Sequence, residues 1–295
     1  MKSIKVICDE YRQRVNNNKN DYSIGFNSID SLIKIQSGDA VVITGRYGVG
    51  KTSFLISTIS KAIDDNKSLV LFSNDLTSYQ ILSRLIALRT SSSLTKVILN
   101  EEDSQSIEKE LSIIEKSNLF IYDGTITDKD IVESVEGIDE LDYIIIDSLD
   151  RVLPSDIFDG LVTETDFDFG QKRLDIRNSE VLTDTYNKRI PDLIRTIKKQ
   201  AYSKQAVVIS TVSQNRLHTY RNSYEHRIED LRKYGHLEDE SDVVIILNRE
   251  YGFNEVEDKE VLEVCATLAK SYRIRGIRCP LIWDEKLIAF KEVDS

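Results

Sequence analysis

Cysteine is scarce in this sequence of 295 residues, and its scarcity excludes two classes of protein. The three cysteines, Cys8, Cys265 and Cys279, are odd in number and lack the short spacings of metal ligands. They predict neither the disulfide framework of a small secreted protein nor a zinc site. We expect reduced thiols in a cytoplasmic protein.

Long apolar runs, linker composition and positive charge are also lacking. No window approaches the roughly 18 apolar residues of a membrane span, and residues 1–21 contain no apolar signal-peptide core. Only three prolines and twelve glycines occur, and we find no low-complexity linker. The net charge of −11 argues against a surface coated by nucleic acid, although residues 216–233 and 270–278 are locally basic.

From about residue 23 the sequence alternates apolar, β-branched runs with amphipathic segments. Continuous apolar strands separated by helices predict an α/β fold, in which helices cover both faces of a mostly parallel, twisted sheet. The predicted strands are 40–45, 68–75, 119–124, 141–148, 206–213, 241–250 and 260–271. The predicted helices are 51–65, 78–90 and 190–202.

A phosphate-loop pattern joins the first predicted strand to the first predicted helix: Gly45, four residues, Gly50, Lys51 and Thr52. Glycines let successive backbone N–H groups turn toward an anion, and the start of the helix adds a positive dipole end. In this pattern the lysine reaches the β- and γ-phosphates, and the threonine hydroxyl ligates Mg²⁺. The residues expected to bind nucleotide are Gly45, Arg46, Tyr47, Gly48, Val49, Gly50, Lys51, Thr52 and Ser53.

A second magnesium ligand is predicted at the end of a neighbouring strand. Asp147 follows three isoleucines, which is the position of the Walker-B carboxylate in phosphate-loop NTPases. Asp150 is a weaker candidate, because it falls in the loop beyond the strand. We find no guanine-recognition sequence of the NKxD type, so the expected cofactors are ATP and Mg²⁺. These parts alone do not separate a phosphate-loop kinase from a RecA-type motor.

The order of several further motifs resembles the RecA-like motor domain of the DnaB family of replicative DNA helicases. The resemblance covers about residues 22–290 and implies a RecA-like P-loop NTPase fold. Its motifs are "YSIGFNSIDSLIKIQSGDAVVITGRYGVGKTSFLISTI", "VLFSNDLTSYQILSRLIA", "YIIIDSLDRV", "VVISTVSQNR", "DLRKYGHLEDESDVVIILNRE" and "LAKSYRIRG".

The resemblance implies a set of catalytic residues at a nucleotide site shared between subunits. Asp75 stands at the family's catalytic glutamate, one methylene shorter, and the alternative is that it only caps the following helix. The sensor glutamine corresponds to Ser213 without gaps, but we favour Gln214, one residue on. A neighbouring subunit would supply a basic pair to the γ-phosphate, from among Lys270, Arg273 and Arg275, with Arg273 and Arg275 competing for the arginine finger. The catalytic residues implied are Lys51, Asp75, Asp147, Gln214, Lys270, Arg273 and Arg275.

The same resemblance implies that single-stranded DNA passes through a ring of these domains. Arg232 and Lys233, with the backbone N–H of Gly235, would hold its phosphates in a sequence-independent manner. Arg216 and Arg221 are additional candidates at the mouth of the channel. The expected assembly is a homo-hexamer that meets replication partner proteins and no membrane.

The predicted domain organisation is an N-terminal linker helix or arm over 1–21, followed by a motor domain over 22–295. An acidic insert at about 155–180 contains the sequence DFDF, which makes DNA contact there unfavourable. The family's N-terminal helical domain has no counterpart in the short arm, so we expect a shortened helicase, a reduced paralogue or an isolated motor domain.

Three functions compete at this stage. The first is a DnaB-like helicase motor that hydrolyses ATP at subunit interfaces and translocates on single-stranded DNA. The second is a RecA-like accessory ATPase, a loader or regulator without unwinding activity, which Asp75 and the acidic net charge favour. The third is a small-molecule phosphate-loop kinase, which would need no residue from a neighbouring subunit.

Overall fold

The computed structural model describes residues 3–5, 8, 12, 22–99, 104–155, 180–214, 227–249, 263–271 and 276–293. Some sequence predictions lie outside these residues: most of the N-terminal arm, most of the acidic insert, Arg216, Arg221, Arg273 and Arg275. In the described part of the chain, no helix is both long enough and apolar enough to cross a membrane.

One mixed sheet forms the centre of the described structure. Its order is β3-β2-β4-β5-β1-β6-β7-β8-β9, parallel from β3 to β6 and antiparallel from β6 to β9. The strands are β1 (Ala40–Gly45), β2 (Leu69–Ser73), β3 (Leu119–Asp123), β4 (Tyr143–Asp147), β5 (Val207–Ser213), β6 (Val243–Arg249), β7 (Glu263–Lys270), β8 (Ile277–Asp284) and β9 (Ala289–Glu292).

The described helices lie against this sheet or follow its strands as short turns. The α-helices are α1 (Asn27–Asp30), α2 (Lys51–Asp64), α3 (Ser78–Arg89), α4 (Leu94–Ile98), α5 (Ser104–Glu115), α6 (Asp128–Gly137), α7 (Glu180–Lys204) and α8 (Leu237–Glu240). Two 3-10 segments occur at Leu149–Arg151 and Ile228–Tyr234. Helix α7 starts before the predicted position 190, so Pro191 lies inside it, where the apolar stripe of Ile190, Ile194 and Ile197 is buried.

The core is divided by the sheet into two layers, which explains the continuous apolar strands. One layer joins α2 and α3 to one face, with Phe54, Leu55 and Ile59 fully or nearly fully buried. The other joins α6 and α7 to the opposite face, where Ile131 and Ile194 are equally buried. The prediction of a mostly parallel sheet covered on both faces by helices is therefore confirmed.

The strand register places the carboxyl ends of the central strands side by side. Gly45 at the end of β1 pairs with Ser213 at the end of β5, and Ser73 at the end of β2 pairs with Asp147 at the end of β4. In a parallel sheet these carboxyl ends form one edge, and ligands bind there in open α/β folds. The predicted phosphate loop and the predicted carboxylate thus meet at this edge.

Strands β8 and β9 were not predicted from the sequence, and aromatic side chains of these strands pack against the phosphate loop. Along β8 only alternate residues such as Cys279 and Leu281 are buried, a pattern weaker than that of the central strands. Phe290 of β9 packs on Trp283 of β8, with ring centroids 5.0 Å apart. The same ring pair lies against Gly50, so these two strands shape the loop.

Candidate nucleotide-binding site

The phosphate loop turns sharply at two glycines between β1 and α2. Gly48 has φ +79° and Gly50 has φ +105°, a backbone region that L side chains rarely adopt. A Cβ at Gly50 would lie 2.6 Å from the ring of Phe290, so both conformation and space require glycine there. The first N–H groups of α2 have no earlier turn to bond to, which leaves them available to an anion.

Lys51 opens α2 and folds back over the loop. Its ammonium donates to the carbonyl oxygens of Gly45 at 3.2 Å and Arg46 at 3.0 Å. Burial lowers the pKa of Lys51, while the charges of Asp150 and Asp147 oppose that shift. A half-buried lysine ammonium beside these backbone N–H groups fits the β- and γ-phosphates that the sequence assigns to it.

Asp147 lies where a magnesium carboxylate is expected and is 4% exposed. One carboxylate oxygen accepts a hydrogen bond from the Thr52 hydroxyl at 2.7 Å, and the other accepts one from the Thr211 hydroxyl at 2.6 Å. Burial raises the pKa of Asp147, against the lowering effect of the two hydroxyl groups and of Lys51.

The donor set fits a magnesium ion that is shared with a nucleotide. Thr52 and Asp147 touch each other, so a single ion beside them can contact both oxygens. The described residues contain no cluster of three or more histidine, cysteine or carboxylate side chains suited to a metal. Mg²⁺ tolerates this, because it keeps several waters and takes phosphate oxygens as further ligands.

Asp75 does not cap the helix that follows it. The N-cap of α3 is Thr77, whose hydroxyl accepts from the N–H of Gln80 while the Gln80 side chain accepts from the N–H of Thr77. The alternative that Asp75 serves only as a helix cap is therefore wrong. Its carboxylate instead forms an ion pair with Arg151, and both side chains are about one third exposed.

Gln214 follows β5 directly and borders the phosphate loop. Its backbone N–H donates to the carbonyl of Gly45 at 3.1 Å, and the residue is 7% exposed. Its side-chain Nε2 lies 3.5 Å from the carbonyl of Arg227, while Oε1 is buried with no hydrogen-bond partner among the described residues. Ser213 instead bonds through its backbone to Asp150 and Tyr234. The preference for Gln214 over Ser213 as the sensor stays a prediction.

The residues predicted to hold DNA differ in their surroundings. Arg232 is exposed, and Gly235 has φ +66° at the end of the 3-10 segment. The contact of Lys233 with DNA phosphates stays a prediction, and its ammonium lies 4.2 Å from the centroid of the Tyr234 ring. Burial lowers the pKa of Lys233, the charge of Asp150 opposes this, and the charge of Lys233 in turn acts on Lys51. Lys233 therefore packs on Tyr234, close enough for its charge to act on Lys51.

Lys270 lies at the opposite edge of the sheet from the phosphate loop. It pairs with Val244, which pairs with Val42 near the start of β1. From Val42 to Gly45 the strand advances about 10 Å. The Lys270 ammonium donates to the carbonyl of Glu238 at 2.6 Å, which holds it at this far edge.

Sequence reasoning missed the contribution of two charged side chains. Asp150, treated as a weak candidate, accepts hydrogen bonds from Tyr234 and Ser148. Arg84 of α3 is half-buried and makes no hydrogen bond or ion pair with the described residues, and the charge of Asp147 acts on it. Only the second has a signal in sequence, since an arginine among the apolar positions of an amphipathic helix is unusual.

Comparison with known proteins agrees with this geometry. The model of the DnaB-like helicase C-terminal domain matches residues 22–292. The chain belongs to the DnaB-like helicase C-terminal domain family. This confirms the resemblance that the motifs indicate, and the helicase class predicted for the chain is the class that the family's description names.

Individual relatives show how much of each protein is shared. The replicative DNA helicase DnaB of Haemophilus influenzae is 23% identical over 253 residues, 81% of this chain and 49% of that protein. The chain therefore spans about half the length of this curated relative. The solved structure of a DnaB-like replicative helicase superposes with a TM-score of 0.72 at 20% identity, over all of this chain and 67% of that chain. The structure of the RadB recombinase superposes with a TM-score of 0.53 at 13% identity, over 92% of this chain and all of that chain. These two likenesses confirm the RecA-like fold.

Proposed function

We propose that this chain is the ATP-dependent motor of a ring-forming, DnaB-like DNA helicase. The observation that carries the proposal is the meeting of Lys51, Thr52 and Asp147 at one edge of the sheet, in a domain of this family. Backbone N–H groups, a lysine ammonium and a carboxylate in this arrangement suit the phosphates of a nucleotide that is bound with a magnesium ion. ATP and Mg²⁺ are the cofactors that we assign.

The chain's own residues divide the work of hydrolysis between them. The loop from Gly45 to Ser53 binds the phosphates through its N–H groups, and Lys51 neutralises their charge. Mg²⁺, when bound, polarises the phosphate oxygens for attack. Asp75 accepts a hydrogen bond from the attacking water and orients it. Gln214, with a buried Oε1 that bonds to none of the described residues, completes the polar surroundings of the γ-phosphate.

A neighbouring subunit completes the site. The Lys270 ammonium donates to the carbonyl of Glu238, at the edge of the sheet away from its own phosphate loop, which supports a role for Lys270 at the loop of another copy. We assign the same role to Arg273 and Arg275, which lie beyond it in the sequence. If the edge that carries the phosphate loop meets the Lys270 edge of the next subunit, every interface of a ring holds such a site. The ring that we propose is a homo-hexamer.

Single-stranded DNA is the substrate that we assign to the channel of the ring. Arg232 is exposed at the end of the Ile228–Tyr234 segment, and the backbone turns at Gly235 directly afterwards. An exposed cation grips phosphates without reading bases, whereas the Gly235 N–H already donates to the carbonyl of Arg232 at 3.1 Å. In this proposal residues 22–295 are the motor, residues 1–21 link neighbouring subunits, and the acidic segment 155–180 faces replication partner proteins.

Two contacts favour the second candidate, an accessory ATPase without unwinding activity. The Asp75 carboxylate is paired with Arg151, which competes with its role in orienting water. The Lys233 ammonium packs on the Tyr234 ring, which competes with its role in the proposed DNA grip. Both contacts predict slow turnover and weak dependence on DNA.

The deciding experiment measures ATP hydrolysis with and without single-stranded DNA, with the oligomer mass recorded in the same buffers. A hexamer whose hydrolysis is strongly stimulated by DNA supports the motor. A hexamer without stimulation supports the accessory ATPase and contradicts translocation. A monomer that consumes ATP only with a small-molecule acceptor would contradict both and support a kinase.

A further inference from the structure

Asp150 is the junction of two parts of the molecule. Its Oδ2 accepts a hydrogen bond from the Tyr234 hydroxyl at 2.7 Å and lies 3.4 Å from the N–H of Ser213. Its Oδ1 accepts from the Ser148 hydroxyl. Asp150 therefore holds the end of the 3-10 segment against the strand ends that carry the nucleotide site.

The ring of Tyr234 is buried at this junction. The residue is 1% exposed, and its hydroxyl lies 2.6 Å from the carbonyl oxygen of Ser213 as well as 2.7 Å from Asp150. A tyrosine hydroxyl has one proton, so it donates to one of these oxygens at a time. Two acceptors at similar distance give the hydroxyl two arrangements that differ only by rotation about the C–O bond.

Two lysines, from separate parts of the chain, share the charge of Asp150. Lys51 comes from the phosphate loop, and Lys233 comes from the 3-10 segment and packs on the Tyr234 ring. The two ammonium groups repel each other. Any phosphate that draws Lys51 toward itself removes positive charge from the surroundings of Asp150. The Asp150 carboxylate then becomes a stronger acceptor for the Tyr234 hydroxyl and attracts Lys233 more strongly.

We propose that Asp150 and Tyr234 are positioning residues that couple the nucleotide site to the segment 227–235. This inference rests on the proposed function, because that segment carries Arg232, the exposed DNA-binding candidate. Filling of the phosphate loop strengthens the Asp150–Tyr234 contact and fixes the segment. Coupling between two binding sites is reciprocal, so DNA bound at the segment stabilises nucleotide bound at the loop.

The test compares amide hydrogen exchange of residues 227–235 in the full chain, with Mg²⁺ alone and with Mg²⁺ plus a non-hydrolysable ATP analogue. In the unmodified chain, the analogue slows exchange of this segment. In Tyr234→Phe the ring and its packing remain but the hydroxyl is lost, and the slowing falls about fivefold, as expected for one hydrogen bond. Asp150→Asn, which keeps the shape and removes the charge, gives the same loss.

The matched control is Tyr122→Phe. Tyr122 on β3, the outermost strand on one side of the sheet, also interacts through its hydroxyl with an aspartate, Asp130. This variant keeps the full analogue-dependent slowing, because its hydroxyl lies outside the junction. Equal slowing in Tyr234→Phe and the unmodified chain would overturn the coupling, as would an analogue that binds without slowing exchange in either protein.

Steady-state hydrolysis with a thymidine oligonucleotide separates this inference from the proposed function. If DNA stimulates the unmodified chain and stimulates Tyr234→Phe equally, the motor stands and the coupling is wrong. If DNA stimulates neither protein but the analogue still slows exchange only in the unmodified chain, the coupling stands and the motor is wrong. Loss of DNA stimulation in Tyr234→Phe, with unchanged affinity for the analogue, supports both.

Discussion

Buried charge dominates the site at the scale of single residues. Asp147 and Lys51 have shifted pKa values for the same reason, which is that burial penalises the ionised form of a side chain. Hydrogen bonds from two hydroxyl groups partly offset the cost of burying the Asp147 carboxylate. Hydrogen bonds to two carbonyl oxygens do the same for the Lys51 ammonium. Groups held this way are preorganised, so they need little rearrangement to meet a phosphate and a cation.

Asp75→Asn tests the role of the carboxylate that replaces glutamate. We expect the variant to bind Mg-ATP with unchanged affinity and to hydrolyse it at least about 100-fold more slowly, because the amide orients water without accepting its proton. Nucleotide binding by calorimetry and single-turnover hydrolysis measure the two effects. Asp139→Asn is the control, since Asp139 follows α6, away from the loop. Turnover that persists in Asp75→Asn would show that another group positions the water.

At the scale of helices and strands, the capping residues decide where helices α3 and α6 begin. Helices α3 and α6 both begin with a complete capping box, Thr77 with Gln80 and Thr127 with Asp130. Because α3 starts at its own cap, Asp75 remains in the turn above β2 and keeps its side chain free of the helix. A local capping signal thus decides which acidic group is left near the nucleotide site.

Thr77→Ala removes the cap of α3 and is expected to lower the free energy of unfolding by about 1 kcal/mol. Thr127→Ala is the matched variant and loses a similar amount, because its box is built in the same way. Urea unfolding followed by circular dichroism measures both. Asp75→Asn, which removes no cap, changes stability by less. A larger loss in Asp75→Asn than in Thr77→Ala would reverse our assignment of the cap.

Glu292 at the end of β9 fastens the short helix α1. It accepts a hydrogen bond from the Ser28 N–H at 2.6 Å. Burial raises the pKa of Glu292. Hydrogen bonds from Ser28 and Asn27 outweigh burial and hold this pKa below its ordinary value. A carboxylate with a lowered folded-state pKa stabilises the fold above its unfolded-state pKa and loses this effect as pH falls through the folded-state value.

Glu292→Gln is therefore expected to be less stable than the unmodified chain at neutral pH, by about 1 kcal/mol. The difference should shrink as the pH falls below about 4, near the reference range of glutamate. Thermal unfolding between about pH 3 and pH 7 spans this range and measures the difference. Glu285→Gln, in the turn between β8 and β9, serves as the comparison. A difference that stays constant with pH would contradict an ionised Glu292 as the cause.

At the scale of the whole molecule, the position of Lys270 predicts that one active site needs two subunits. The phosphate loop and Lys270 lie on opposite edges of one sheet. In the proposed ring, contacts between these two edges would repeat at every interface. Activity would then belong to the interfaces and would be lost when either edge is damaged.

Mixing two inactive variants tests this directly. Lys51→Ala and Lys270→Ala are each expected to abolish most hydrolysis. In rings assembled from equal amounts of both, about one quarter of the interfaces combine an intact loop with an intact Lys270, so up to about a quarter of the activity returns. Lys61→Ala, a lysine at the exposed end of α2, is the control for the substitution itself. Mixtures that stay inactive would show that Lys270 acts within its own subunit or not at all.

The sequence by itself determined the phosphate-loop turn, the position of Asp147 at the end of β4, the central parallel strands and the family. These follow from patterns within short segments, where glycine spacing and runs of apolar residues carry the signal. Only the tertiary structure decided the surroundings of Lys233 and the role of Asp150, whose partner Tyr234 is 84 residues away in the chain. Such contacts depend on how strands and loops pack, because a side chain's electrostatic partners are chosen by proximity in space.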